Sequence, residues 1–142
     1  MSHDLILKKL EQMRILITEL KELLALSFPE FKKEFTNVRS AERNFQLIVE
    51  LASDINAHTI AELGAETPDT YRESFKRMAA LKILDEESLP NFIKSSNLRN
   101  ILTHEYDFDE DNFIFYKSAK EFIPLYEEYI RLIQRHLGAK VK

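Results

Sequence analysis

At 142 residues, with 44% apolar and 31% charged side chains, the chain is long enough to bury a core and has the ordinary composition of a soluble globular protein. Its formal net charge of −4 argues against non-specific coating of nucleic acid and confines any RNA contact to a small basic patch or a cleft between two copies. The absence of cysteine excludes disulfides and thiol catalysis and fits a reducing compartment, while only two glycines and four prolines favour long helices over tight turns.

The opening Met1-Ser2-His3-Asp4 lacks the basic-then-apolar order of a signal peptide. No apolar run approaches the roughly 20 residues that span a bilayer. The expectation is one cytoplasmic domain over residues 1–142.

A first helix is predicted from Asp4 to Leu26, because Ile6, Leu10, Met13, Ile17, Leu20 and Leu24 recur at steps of four and three. Phe28-Pro29 interrupts it, since a residue before proline is pushed away from helical angles. Residues 30–39 read as a linker or half-helix with Phe31 and Phe35 on one face. Ser40 is the expected N-cap of a second helix over Ala41 to Leu63, stopped by Gly64. Phe45, Ile48, Ala52, Ile55, Thr59 and Leu63 form its buried stripe, widened by Leu47 and Leu51. A polar seam of Arg43, Gln46, Glu50, Asp54 and His58 runs beside it.

Thr67-Pro68 is expected to open a third helix, with Tyr71, Phe75, Met78 and Leu81 on its inner side. A turn over Asp85 to Leu89 leads to a fourth helix from Pro90 to Thr103, with Phe92, Ile93, Leu98, Ile101 and Leu102 as its apolar set. After the acidic stretch Asp107 to Asp111, a last helix is predicted from Asn112 to Leu137. Its inner residues are Ala119, Phe122, Tyr126, Tyr129, Ile130, Ile133 and Leu137; Pro124 kinks it and Gly138 ends it. No segment alternates with period two. The fold class is all-α, an antiparallel bundle of four to five helices.

The end of the fourth helix holds the residues best suited to chemistry: Arg99, Asn100, His104 and Tyr106. Arginine grips a phosphoryl group by a bidentate fork at any working pH. Histidine exchanges a proton near neutrality. Arg99 and His104 are five positions apart, roughly 140° of rotation on a helix, so they face different neighbours. Asn100 and His104, four apart, share a face. A two-fold dimer repeats each group and can bring both pairs into one cleft. Such a cleft suits RNA cleavage without a metal. The ribose 2′-OH is the nucleophile, histidine its base, arginine the partner of the developing phosphorane charge, and Asn100 a support for the imidazole or a donor to phosphate. On spacing alone the structural reading leads: Arg99 in an ion pair, His104 favoured by the helix dipole, and Tyr106 packed with a wet hydroxyl.

The run Arg99-x4-His104-x-Tyr106 resembles the signature of the HEPN superfamily, and more closely the RN-x-x-x-HxY run of HepT-type toxins. Residues Ala41 to Gly64 are similar to that family's second long helix. Thr67 to Phe75 are similar to its P-x-SY-x-E-x-F segment, with Thr70 where serine is usual; Thr103 stands where an aliphatic residue is common. The resemblance covers roughly residues 40–135. It implies a homodimeric, metal-independent endoribonuclease without cofactor, with Arg99 and His104 as the active pair and Asn100 in support. It further implies a toxin–antitoxin module in which a nucleotidyltransferase antitoxin of the MNT type adds AMP to Tyr106. Bulk and negative charge at that position would repel an RNA backbone.

Two other readings stand beside it. A non-catalytic nucleotide-binding module, or a nucleotidyltransferase partner, would use Arg99 and His104 to hold phosphate without breaking a bond. A purely structural bundle would leave Arg99 salt-bridged on the surface, away from any cleft. Asp107, Asp109 and Asp111 are spaced like the start of a calcium loop, but Asn112 replaces the turn glycine and Ser118 the closing carboxylate. His58 and Asp54 share a face as a hydrogen-bonded pair, too few for a metal site. His3 and His136 read as exposed.

Overall fold

A computed structural model describes the chain over residues 3–104 and 108–141, and its side chains over 3–103 and 112–138. Among the described residues there are six α-helices and no strand: α1 (His3–Leu24), α2 (Phe28–Lys33), α3 (Phe35–Glu62), α4 (Tyr71–Ala80), α5 (Leu89–His104) and α6 (Phe108–Val141), with a 3-10 turn at Glu86–Ser88. The all-α bundle is borne out, with one short helix more than expected. No helix among the described residues is long and apolar enough to cross a membrane.

Helical periodicity located the core. All six stripe residues of α1 are buried, as are all seven inner residues expected on α6. Together with Phe45, Ile48, Ala52 and Ile55 of α3, Phe75 and Met78 of α4, and Phe92 and Leu98 of α5, they form one cluster. Leu63, Leu81 and Ile101 were expected inside and are exposed. Each lies at or near the end of its element, where the packing surface has run out.

Local signals at helix starts were misread in three places. The expected interruption is present, since α1 ends at Leu24, but Phe28-Pro29 also starts α2: the Ser27 hydroxyl caps it, accepting from the Glu30 amide at 3.4 Å. Glu34 leaves helical angles at φ −107°, ψ 110°, and α3 starts at once after it, so Ser40 lies inside a helix. That break also separates Phe31, fully buried, from Phe35, 72% exposed. The cap of α4 is Thr70 and not Thr67: its hydroxyl accepts from the Glu73 amide at 3.0 Å, the S/T-x-x-E spacing of a capping box. Gly64 does end α3, at φ +78°, with the Ala65 amide reaching back to the Ile60 carbonyl at 3.1 Å. Gly138 does not end α6, which runs through both it and Pro124 to Val141. A glycine near a helix end costs about 1 kcal/mol relative to alanine, too little to stop the helix by itself.

A chain of paired polar groups inside the bundle ties the helices that carry the site. Tyr129 on α6 donates to Asn56 Oδ1 at 2.6 Å, with the Ala52 carbonyl also within reach at 3.0 Å. Asn56 donates to Ser74 at 3.1 Å, and Ser74 to the Tyr71 carbonyl at 2.8 Å. Tyr126 and Ser95 share a 2.6 Å hydrogen bond between α6 and α5.

Burial raises the pKa of both Tyr126 and Tyr129 above the ordinary phenol value; for Tyr126 the bond to Ser95 opposes this, and for Tyr129 the neighbouring Tyr126 adds to it. Because the folded-state values are raised, the neutral hydroxyls stabilise the fold fully below the unfolded value of about 10, and that stability is lost as pH rises beyond it. In an alkaline titration, the phenolate absorbance of these two side chains is expected to grow only as the helical circular-dichroism signal falls. Ionisation of all five tyrosines with the helices intact would contradict it.

Candidate functional site

The inner face of α5 is Phe92, Ser95, Ser96 and Leu98, all buried. The two serine hydroxyls turn back onto the carbonyls of Phe92 and Ile93 at 2.7 and 2.8 Å, which satisfies them without help from solvent. With that face pinned against the core, Arg99 falls at the margin of α5, beside α3 and α4.

The Arg99 side chain is 19% exposed and is held from three directions. Nη2 is 3.3 Å from Glu50 Oε2 on α3. Nη1 donates to Asn100 Oδ1 at 3.3 Å. The guanidinium carbon lies 4.8 Å from the centroid of the Tyr71 ring on α4, a cation–π contact. Nε is buried and has no hydrogen-bond partner among the described residues. Glu50 is shared, with Arg43 Nη1 4.0 Å from the same carboxylate oxygen, so its charge is not spent on Arg99 alone. Burial raises the pKa of Tyr71; Arg99 pulls it down, and Glu50 and Asp54 push it up. The ring beside Arg99 is therefore a neutral phenol at physiological pH.

A cleft of about 410 Å³ opens here, lined by Asp69, Thr70, Tyr71, Arg72, Ser96, Asn97, Arg99 and Asn100. A second groove, on the α6 side of α5, is lined by Lys94, Ile101, Ile114 and Glu121 among others and contains neither Arg99 nor Asn100. The arginine and asparagine of the sequence motif thus share one cleft. Arg99 is ion-paired, as the structural reading required, but it borders a cavity, which that reading denied.

His104 is the last residue of α5. Its side chain lies outside the described residues, as do Tyr106 and the side chains of Asp107, Asp109 and Asp111. His58 and Asp54 are not distinguished as a pair: Asp54 is 3.5 Å from Lys9. His3 is not simply exposed, with Nε2 3.4 Å from Glu62. Among the described residues no group of three His, Asp or Glu could hold a metal ion.

Tyr71 was missed as a site residue, because its spacing with Phe75 and Met78 matched a core stripe. The signal was present in the capping box, which puts Tyr71 in the first turn of α4, where a side chain reaches beyond the packed middle of the bundle. Glu50 belongs to the polar seam read from the sequence, which left open a supporting role near the cleft; its contact with Arg99 is what the structure adds.

Comparison with known proteins gives a consistent result. A family model described as "Ribonuclease HepT-like" matches residues 13–133. The tRNA nuclease HepT of Aphanizomenon flos-aquae is 31% identical over 129 residues, covering 91% of this chain and 87% of its own. The mRNA nuclease HepT of Shewanella oneidensis is 27% identical over 104 residues, covering 73% and 77%. The tri-AMPylated Shewanella oneidensis HEPN toxin, solved in complex with an MNT antitoxin, superposes with a TM-score of 0.84 at 24% identity, over 95% of this chain and 99% of that one.

Proposed function

Since the chain belongs to the HepT-like ribonuclease family, we propose that it is the metal-independent endoribonuclease toxin of a cytoplasmic toxin–antitoxin module, and that it cuts RNA through Arg99 and His104 in a cleft between two copies. The observation that carries this reading is the placement of Arg99 and Asn100 on the wall of one cleft, with the guanidinium held between a carboxylate and an aromatic ring.

In this mechanism His104 takes the proton of a ribose 2′-OH, and the freed oxygen bonds to the adjacent phosphorus. The bond from phosphorus to the 5′-oxygen breaks, and a protonated histidine returns a proton to that oxygen. The products are a 2′,3′-cyclic phosphate and a 5′-hydroxyl. Arg99 meets the charge that develops on the non-bridging oxygens, which is stronger in the transition state than in bound RNA. Asn100 supports by holding Nη1. The roughly 140° between Arg99 and His104 on one helix is the reason a second copy is invoked to complete the constellation. Regulation falls to the nucleotidyltransferase antitoxin: the Tyr106 hydroxyl gives up its proton and bonds to the α-phosphorus of ATP, and pyrophosphate leaves.

The test is cleavage of purified tRNA and mRNA by the purified protein in excess chelator, with end-group analysis of the fragments. Cyclic-phosphate and 5′-hydroxyl ends, unaffected by chelator, are expected. RNA left intact while adenine nucleotides bind in calorimetry would replace the nuclease by a non-catalytic nucleotide-binding module.

A further inference from the structure

An arginine side chain has more rotational freedom than a catalytic role tolerates, and the gain from a phosphate contact depends on where its fork points. In this protein Arg99 is restrained about more than one axis. The Tyr71 ring lies 4.8 Å from the guanidinium carbon, and Glu50 and Asn100, each at 3.3 Å, hold its two terminal nitrogens. The ring packs against the core and the backbone beneath it is anchored. Thr70 caps α4 immediately before it, and the backbone carbonyl of Tyr71 accepts from Ser74, which Asn56 and Tyr129 connect to the buried centre of the bundle. Tyr71 is thus the point where a rigid internal network meets the cleft.

We infer that Tyr71 is a positioning residue for Arg99, with Glu50 as the second restraint; the inference rests on the reading of Arg99 as the arginine that meets phosphate. Tyr71 acts through the guanidinium and not by moving a proton, since its hydroxyl stays protonated and the ring offers a neutral π face. Its effect should appear in the turnover step, where the direction of the fork counts, more than in RNA binding, to which many phosphate contacts contribute.

Three variants test this: Tyr71→Leu, Tyr71→Phe and Glu50→Gln. Tyr71→Leu is expected to lower kcat on the order of 10- to 100-fold, with KM changed by less than about threefold. Tyr71→Phe keeps the ring face and is expected to recover most of that loss. Glu50→Gln keeps an acceptor but removes the charge, and should fall between the two. A second readout is independent of turnover: the Nε–H proton resonance of Arg99 should carry an upfield ring-current shift in the parent and in Tyr71→Phe, and lose it in Tyr71→Leu. If Tyr71→Leu costs helix content, Tyr71→Met takes its place with the same expectation. An active parent whose ring-less variant cuts at full rate, or whose phenylalanine variant is no better than the leucine one, overturns the positioning role alone. A parent that does not cut RNA overturns the reading of the site and the positioning role with it.

Discussion

His104→Ala is expected to reduce RNA cleavage by about 10²- to 10⁴-fold, the usual contribution of a positioned general acid–base, while leaving helix content unchanged. The second half of this expectation follows from position. His104 is the last residue of α5, and the buried residues that hold the helix in place, Phe92, Ser95, Ser96 and Leu98, lie well before it. Arg99→Ala should cost about 10²- to 10³-fold by removing a charge aimed at the phosphorane oxygens. In the proposed mechanism both groups serve the same step, so the double variant should be little slower than the worse of the two singles, and not slower by the product of their effects. Single-turnover cleavage rates, read beside circular dichroism and light scattering, decide the matter. A His104→Ala protein that cuts RNA as fast as the parent removes the histidine from the mechanism.

Arg99→Ala has a second consequence that distinguishes a site from a surface ion pair. Among the described residues it leaves Glu50 with the more distant Arg43, and it uncovers one face of the Tyr71 ring. The Arg99–Glu50 pair is part-buried, so some stability should be lost, on the order of 1–3 kcal/mol, while the fold persists and cleavage collapses.

Long-range order in the bundle was legible in the sequence because burial imposes a period. The Ile6-to-Leu24 stripe and the Ala119-to-Leu137 set are each a regular repeat that few other arrangements would produce. Helix starts were less legible because several candidate caps stand close together. Ser40 and Thr67 have suitable side chains, but Ser27 and Thr70 have a glutamate three residues later, the spacing of a capping box. The break at Glu34 has no such signature; its angles are set by how α2 and α3 pack.

The site was legible only along the chain. Arg99 and Asn100 are neighbours on one helix, but adjacent positions point about 100° apart and the sequence grouped Asn100 with His104, so the cleft that Arg99 and Asn100 share was not foreseen. The Arg99–Glu50 contact joins residues 49 positions apart, and the Tyr71 contact depends on how α4 lies across α3 and α5. Residue spacing carries no record of either. Ser95 and Ser96 were invisible for a related reason. Their hydroxyls are satisfied by carbonyls of their own helix, so residues that look polar in the sequence are fully buried.

Phe92→Ala is the substitution expected to cost the most stability, about 3–5 kcal/mol. Phe92 is fully buried on α5. It stacks nearly parallel on Phe75 of α4, with ring centroids 5.0 Å apart and 13° between planes, and meets Tyr126 and Tyr129 of α6 edge-on at 5.5 and 5.8 Å. Truncation leaves a cavity with three aromatic walls, and rings fixed by hydrogen bonds to Ser95 and Asn56 cannot collapse into it. Denaturant and thermal melts should record the loss, with Tm falling on the order of 10 °C. Aromatic contacts at Phe92 hold α5 to both α4 and α6, so the same ring supports the helix that carries Arg99 and the helix that carries Tyr71. Cleavage per folded molecule should therefore also fall, in contrast to His104→Ala, which removes chemistry and leaves the melt alone. A Phe92→Ala protein that melts like the parent would mean that the α4–α5–α6 junction is held elsewhere, and the rigid support assigned to the cleft would go with it.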